Sequence, residues 1–335
     1  MKIGILGAGT WGIALAALLV GNEHSVCVWS AIPEEIDELS KTCVHRNLPE
    51  VILSKSIKYT KSIKDIADES ELILVVVPSS FVRSTAQKLV PYLKDGATVI
   101  TCAKGIEGGS LMTMTEIIED VIKTERPQLS YCVAALSGPT HAEEVARGIP
   151  TSIVSACENE AISAKIAEAF SNSCMRVYTN TDVKGVEICG AMKNIIALAA
   201  GILSGMDLGD NTKAMLMTRG IAEMARLGVA LGCKRRTFMG LAGIGDLIVT
   251  CTSRHSRNNR CGELIGKGMT YEEASKEIGM VVEGYHALEA AMEMSKKYEV
   301  SLPITEAVYK IIKEGLSPKE AMQALMNRDL KSELD

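Results

Sequence analysis

The chain is poor in aromatic residues: two Trp, eight Tyr and three Phe make up 4% of its 335 positions. That is too few flat side chains for a base-stacking platform. A basic excess is lacking too. Lys and Arg number 36 against 41 Asp and Glu, a formal charge of −5, whereas a nucleic-acid binder carries a basic footprint. The ten cysteines (27, 43, 102, 132, 157, 174, 189, 233, 251, 261) include no C-x-x-C and no Cys/His pairing at zinc spacing. The five histidines (24, 45, 141, 255, 286) lie far apart in no ligand motif, so no metal is expected. His141, beside Thr140, reads as a neighbour of the site rather than a catalyst. Scattered thiols in a chain of this size read as reduced and buried, in a cytoplasmic protein. Internal repeats, low-complexity tracts and flexible linkers are absent as well. An apolar share of 47% with 23% charged residues excludes long disorder.

One feature imitates a signal peptide or membrane span: residues 3–22 carry no charge and follow Lys2. Gly4, Gly7, Gly9 and Gly12 crowd the first half of that run, and glycine there weakens a continuous helix. A strand, a tight turn and a helix fit it better, and no membrane span is expected. Further short apolar runs at 25–29, 72–77, 97–103, 131–136 and 151–155 lack two-residue alternation, as strands buried on both faces do. Helical stretches at 12–21, 33–42, 81–93 and 111–124 lie between them. That alternation predicts right-handed crossovers and a mostly parallel, doubly wound sheet of Rossmann type. The second half changes character. Only Pro303 and Pro318 lie beyond residue 150, and from about Val186 the pattern is helical. Thr270-Tyr271-Glu272-Glu273 predicts a capping box, and Ser317-Pro318-Lys319-Glu320 predicts a capped helix start. The expectation is an α/β nucleotide-binding domain over 1–183 and an all-α substrate domain over 184–335. Such a helical second half commonly supports a homodimer, and monomer and homodimer both stay open.

Gly7-Ala8-Gly9-Thr10-Trp11-Gly12 is G-x-G-x-x-G between a predicted strand and a helix. Gly7 would permit the turn, Gly9 the approach of a pyrophosphate, and Gly12 close helix–strand packing. The second strand ends at Trp29-Ser30-Ala31-Ile32-Pro33, which supplies neither the acid that prefers a ribose 2′-hydroxyl nor the Arg that prefers a 2′-phosphate. Lys104 follows another strand, as a surface lysine or as part of a ligand site. Ser137-Gly138-Pro139-Thr140 closes a further strand with small residues, as a plain turn or as room for a ligand. Lys193 lies in a very apolar helix, where it either snorkels to the surface or serves as a proton donor. Asp246 ends the glycine-rich segment 240–246, as a helix cap or a site carboxylate. Residues 253–260 hold Arg254, Arg257 and Arg260 with no acid, which suits a solvated charge run or a small phosphate dianion. Together these residues suggest hydride transfer to a phosphorylated carbonyl compound. A 3-hydroxyacid dehydrogenase and a dinucleotide-binding sensor without turnover are the rivals.

At these residues the sequence resembles the bacterial-type NAD(P)-dependent glycerol-3-phosphate dehydrogenases, from Lys2 to about residue 328. The stretches that carry the resemblance are 7–12, Val76-Val77-Pro78-Ser79, Lys104-Gly105, 137–140, Ala191-Met192-Lys193-Asn194, 240–247, Ser256-Arg257-Asn258 and Val282-Glu283-Gly284. The resemblance implies reversible formation of sn-glycerol 3-phosphate from dihydroxyacetone phosphate, for phospholipid synthesis. It assigns cofactor contacts to Thr10, Trp11, Lys104, Ala142, Arg257, Val281 and Glu283. It assigns substrate contacts to Lys104, Gly138, Thr140, Lys193, Asp246, Ser256, Arg257 and Asn258, with Lys193 as the proton-transfer group. On the residues, Lys104 would stabilise charge and Asp246 would orient Lys193. Ala31 departs from relatives that carry Arg or His there. The cofactor is therefore NADPH or NADH, with either looser discrimination between them or help from Ser30 or another residue such as His45 toward a 2′-phosphate.

Overall fold

A computed structural model describes residues 1–330, 332 and 333. The chain divides into two compact units. Met1–Gly190 and Arg236–Asp246 form the first, and Ala191–Arg235 with the chain from Leu247 onward forms the second.

The first unit is built on an eight-stranded sheet. In chain order the strands are β1 (Lys2–Leu6), β2 (Ser25–Trp29), β3 (Val44–His45), β4 (Leu48–Ile52), β5 (Lys58–Thr60), β6 (Leu72–Val75), β7 (Ala97–Thr101), β8 (Tyr131–Ser137), β9 (Thr151–Ala156) and β10 (Met175–Asn180). Their order across the sheet is β10-β9-β8-β7-β6-β1-β2-β5, while β3 and β4 form a separate antiparallel hairpin. All sheet pairs are parallel except β8 with β9. The chain winds outward from β1 through β2, then returns to β6 on the other side of β1. The switch point of this doubly wound sheet thus lies at the end of β1.

Burial on both faces explains why the inner strands read as continuous apolar runs. Ile3 and Ile5 of β1 join one core cluster and Leu6 joins the other. The charge-free run near the N-terminus is β1 followed by the helix Thr10–Gly21, not one helix. The segment 81–93, read as one helix, is broken into a 3-10 turn at Ser79–Phe81, an α-helix at Val82–Leu89 and a second 3-10 turn at Val90–Tyr92. Pro91 has no N–H to continue the α-helical ladder. The helix read from 111 starts instead at Met114, because Thr113 and Glu116 form a reciprocal capping box. Three sheet-edge or peripheral pieces, β3–β4, β5 and β10, gave no apolar run to recognise.

In the second unit, the apolar helix Val183–Gly205 continues from the first. It is long and apolar enough to span a membrane, and its most apolar 18-residue stretch is buried within the protein. Glycines let the helix Arg257–Gly266 lie directly against it. A Cβ on Gly201 would meet the Asn259 carbonyl oxygen at 2.0 Å, and one on Gly262 would meet the Leu198 carbonyl oxygen at 2.1 Å. The capping boxes at Thr270 and Ser317 form as the sequence predicts.

Candidate active site

The glycine turn follows from hard sterics. Gly7 has φ +126°, and a Cβ there would lie 2.4 Å from the Val76 carbonyl oxygen. A Cβ on Gly12 would lie 2.0 Å from the Gly7 carbonyl oxygen, so the helix Thr10–Gly21 can start this close to β1 only without one. Gly9 is the N-cap of that helix, no side chain caps it, and the space where its Cβ would stand is open. An uncapped helix start with open approach suits a pyrophosphate, whose charge the exposed N–H groups and the helix dipole favour. Thr10 accepts a hydrogen bond from Asn47 Nδ2 at 2.9 Å, which ties the β3–β4 turn to this loop. Trp11 is half-buried against the core. Ala142 opens the short helix Ala142–Ala146 that His141 precedes, and it packs on the same core.

The other strand ends of the first unit carry the charged groups. Lys104, beyond β7, is 19% exposed and donates to Asp246 Oδ2 at 2.6 Å and to the Gly138 carbonyl at 3.1 Å. Thr140 Oγ1 donates to that same carbonyl at 3.2 Å. Asp246 is 1% exposed. It reaches Lys104 because the segment Arg236–Asp246 packs on the sheet, with Leu241 and Ala242 against Ala135, Val154 and Ala156. Gly243 makes the π-helical turn Leu241–Gly245 possible, since a Cβ would strike the Phe238 carbonyl oxygen at 2.1 Å. Gly190 leaves room for the Lys104 stem, which a Cβ would approach at 3.2 Å. Beside it the Ser137 hydroxyl is buried with no protein partner. A buried hydroxyl left open next to a lysine–carboxylate pair is the kind of group a bound polar ligand satisfies. The adjacent thiol of Cys102 is pushed up to about 12 by burial and is no nucleophile at neutral pH.

The second unit holds the remaining candidates. Lys193 is 6% exposed and donates to Thr250 Oγ1 at 2.6 Å. Its ammonium is therefore held inside the protein rather than carried to the surface. Ser256 caps the helix Arg257–Gly266 by accepting from the Asn259 N–H at 3.2 Å. Arg257 and Asn258 are that helix's first two residues. Asn258 is buried, donates to Asn194 Oδ1 at 3.0 Å and accepts from the Gly284 N–H at 2.9 Å. Asn258 thus also fixes the start of the helix Glu283–Lys297, where Val281, Val282 and Glu283 stand. Sequence reasoning missed Thr250, whose role depends on a partner 57 residues away. It also missed the ion pair of Lys104 with Asp246, separated by 142 residues. Among the described residues no cluster of His, Cys, Asp or Glu is placed to hold a metal ion, and no disulfide joins the cysteines.

A doubly wound sheet with an open glycine-turn helix start at its switch point, and a lysine–carboxylate pair at its strand ends, marks a dinucleotide-dependent dehydrogenase. The family models for the N-terminus and C-terminus of NAD-dependent glycerol-3-phosphate dehydrogenase match residues 2–163 and 182–323. The chain belongs to that family. It is 52% identical over 333 residues to a Lactobacillus delbrueckii subsp. bulgaricus glycerol-3-phosphate dehydrogenase named for NAD(P)+, with 99% of both chains covered. A Bacillus subtilis relative of the same name is 44% identical, covering 100% of this chain and 96% of the relative. The crystal structure of glycerol-3-phosphate dehydrogenase from Coxiella burnetii superposes with a TM-score of 0.91 at 36% identity, covering 98% of this chain and 99% of that one.

Proposed function

We propose that the chain interconverts dihydroxyacetone phosphate and sn-glycerol 3-phosphate with NAD(P)H, in the cytoplasm, and supplies the glycerol phosphate for phospholipid synthesis. The observation that carries this reading is the buried Lys193 ammonium, fixed by Thr250 on the same helical unit as an arginine-bearing helix start. Ten cysteines with no disulfide among the described residues suit a reducing compartment.

The chain's own residues divide the work. The helix start at Ser256, Arg257 and Asn258 offers N–H groups, a positive dipole end and a guanidinium fork, which together fit a phosphate dianion. Its rigidity comes from the Ser256 cap and from Asn258, braced by Asn194 and Gly284. Gly7, Gly9, Thr10, Trp11 and Gly12 hold the dinucleotide, with Lys104, Ala142, Arg257, Val281 and Glu283 as further contacts. When bound, the reduced nicotinamide supplies a hydride to the carbonyl carbon. Lys193 Nζ gives its proton to the carbonyl oxygen as negative charge develops there. Lys104, held by Asp246 and the Gly138 carbonyl, stabilises that charge before the proton arrives. Gly138 and Thr140 line the same strand end.

These roles separate kinetically. Lys193→Ala is expected to lower kcat by about 10²–10⁴-fold, the usual worth of a positioned proton donor, with substrate still bound. Arg257→Ala is expected to raise KM for dihydroxyacetone phosphate by roughly 10- to 100-fold, the loss of one charge-assisted hydrogen bond or two, with a smaller change in kcat. Steady-state kinetics of both variants checks the division, and near-normal turnover in Lys193→Ala would remove the assignment.

A further inference from the structure

NADH and NADPH differ by one phosphate on the adenosine ribose, and in a doubly wound sheet that difference is read at the end of the second strand. Here β2 ends at Trp29, whose carbonyl accepts the Gly7 N–H at 2.8 Å, so the next residues stand beside the glycine loop. Ser30 is buried. Its hydroxyl donates to Glu35 Oε2 at 2.6 Å and accepts the Ile32 N–H at 3.1 Å. Glu35 lies in the first turn of the helix Pro33–Thr42, where the dipole favours a carboxylate. A negative group is thereby anchored at the strand end although no acid occupies the strand-end positions themselves. Ala31, exposed, brings no cation there.

Charges of both signs stand around this point. Lys61 is joined to Asp37 at 2.7 Å. His45 is buried near the Ala8 backbone, and burial together with Arg46 drives its pKa below the ordinary value. Glu35 and Glu38 act on His45 against Arg46. A ribose with two hydroxyls can donate to such a carboxylate, whereas a 2′-phosphate brings further negative charge against it.

We propose that Glu35, held by Ser30, is the residue that makes this enzyme select NADH over NADPH. The selection rests on the dehydrogenase reading above and concerns the same nucleotide site. Calorimetric titration of the full chain with NADH and with NADPH, without substrate, tests it. The wild type is expected to bind NADH about tenfold or more tightly than NADPH, the order a carboxylate facing a phosphate gives near a protein surface. Glu35→Gln keeps a side-chain oxygen for Ser30, so the local fold survives, and it should bring the two dissociation constants close together, chiefly by tightening NADPH. Ala31→Arg should tighten NADPH further. Equal binding of both dinucleotides by the wild type, tighter NADPH, or an unchanged ratio in Glu35→Gln would overturn the selection and leave the dehydrogenase reading standing. Binding of neither dinucleotide would overturn both.

Discussion

Single residues in this molecule were legible in the sequence when their cost was local. Lys193 stood out because a charge among Met192, Ile195 and Ile196 needs a reason, and the structure supplies Thr250 as its partner. Glu35 did not stand out, because its meaning depends on the Ser30 hydroxyl reaching it across a turn. Glu187 is a similar case. It is buried in the first turns of the helix Val183–Gly205 and accepts the Thr115 N–H at 2.8 Å and the Thr115 hydroxyl. Burial pushes its carboxyl up to about 7, against an ordinary 4.5. The folded state therefore holds this proton more tightly than the unfolded state does. Its stabilising contribution is complete below about pH 4.5 and is lost as pH rises through about 7. Denaturant unfolding between pH 5 and 8 should show wild-type stability falling with pH from this group by up to about 3 kcal/mol. Glu187→Gln should flatten that slope and be the more stable form at pH 8. An unchanged slope in the variant would show that Glu187 titrates normally.

At the scale of elements, periodicity found what is buried on both sides and missed what lies at an edge. The inner strands β1, β2, β6, β7, β8 and β9 each carry an apolar run because both faces of the sheet are buried there. The edge strands β5 (Lys-Tyr-Thr) and β10 (Met-Arg-Val-Tyr-Thr-Asn) carry polar residues on an open side, so no run betrays them. Helix contacts were equally hidden. Gly201 with Gly205, and Gly262 with Gly266, repeat at four-residue spacing, and only in three dimensions do they bring two helices into backbone contact. That contact sets where the helix Arg257–Gly266 points its first turn. Gly262→Ala must push the Leu198 carbonyl away and should cost about 1–3 kcal/mol of stability, as overpacking does. It should also raise KM for dihydroxyacetone phosphate more than KM for the dinucleotide, because Ser256, Arg257 and Asn258 ride on the displaced helix. A thermal melt with paired KM values checks both. An unshifted melt would mean the helices part without cost.

For the whole molecule, the class of fold was readable from residue order, since strand, glycine turn and helix recur with fixed sterics, and the family was readable from the resemblance its motifs carry. The composition of the units was not. The segment Arg236–Asp246 belongs with the nucleotide-side sheet although nearly fifty residues of the other unit precede it, and this is how Asp246 comes to hold Lys104. Such long-range returns leave no periodic trace, because they are fixed by tertiary packing on Ala135, Val154 and Ala156 rather than by local pattern. The reaction itself is tested most directly by the initial rate of NADH and NADPH oxidation by the purified chain with dihydroxyacetone phosphate. Saturable turnover within the ordinary enzymatic range of about 1–10³ per second is expected, with glycerol 3-phosphate as the product. A folded sample that binds dinucleotide yet oxidises neither cofactor with this substrate would contradict it.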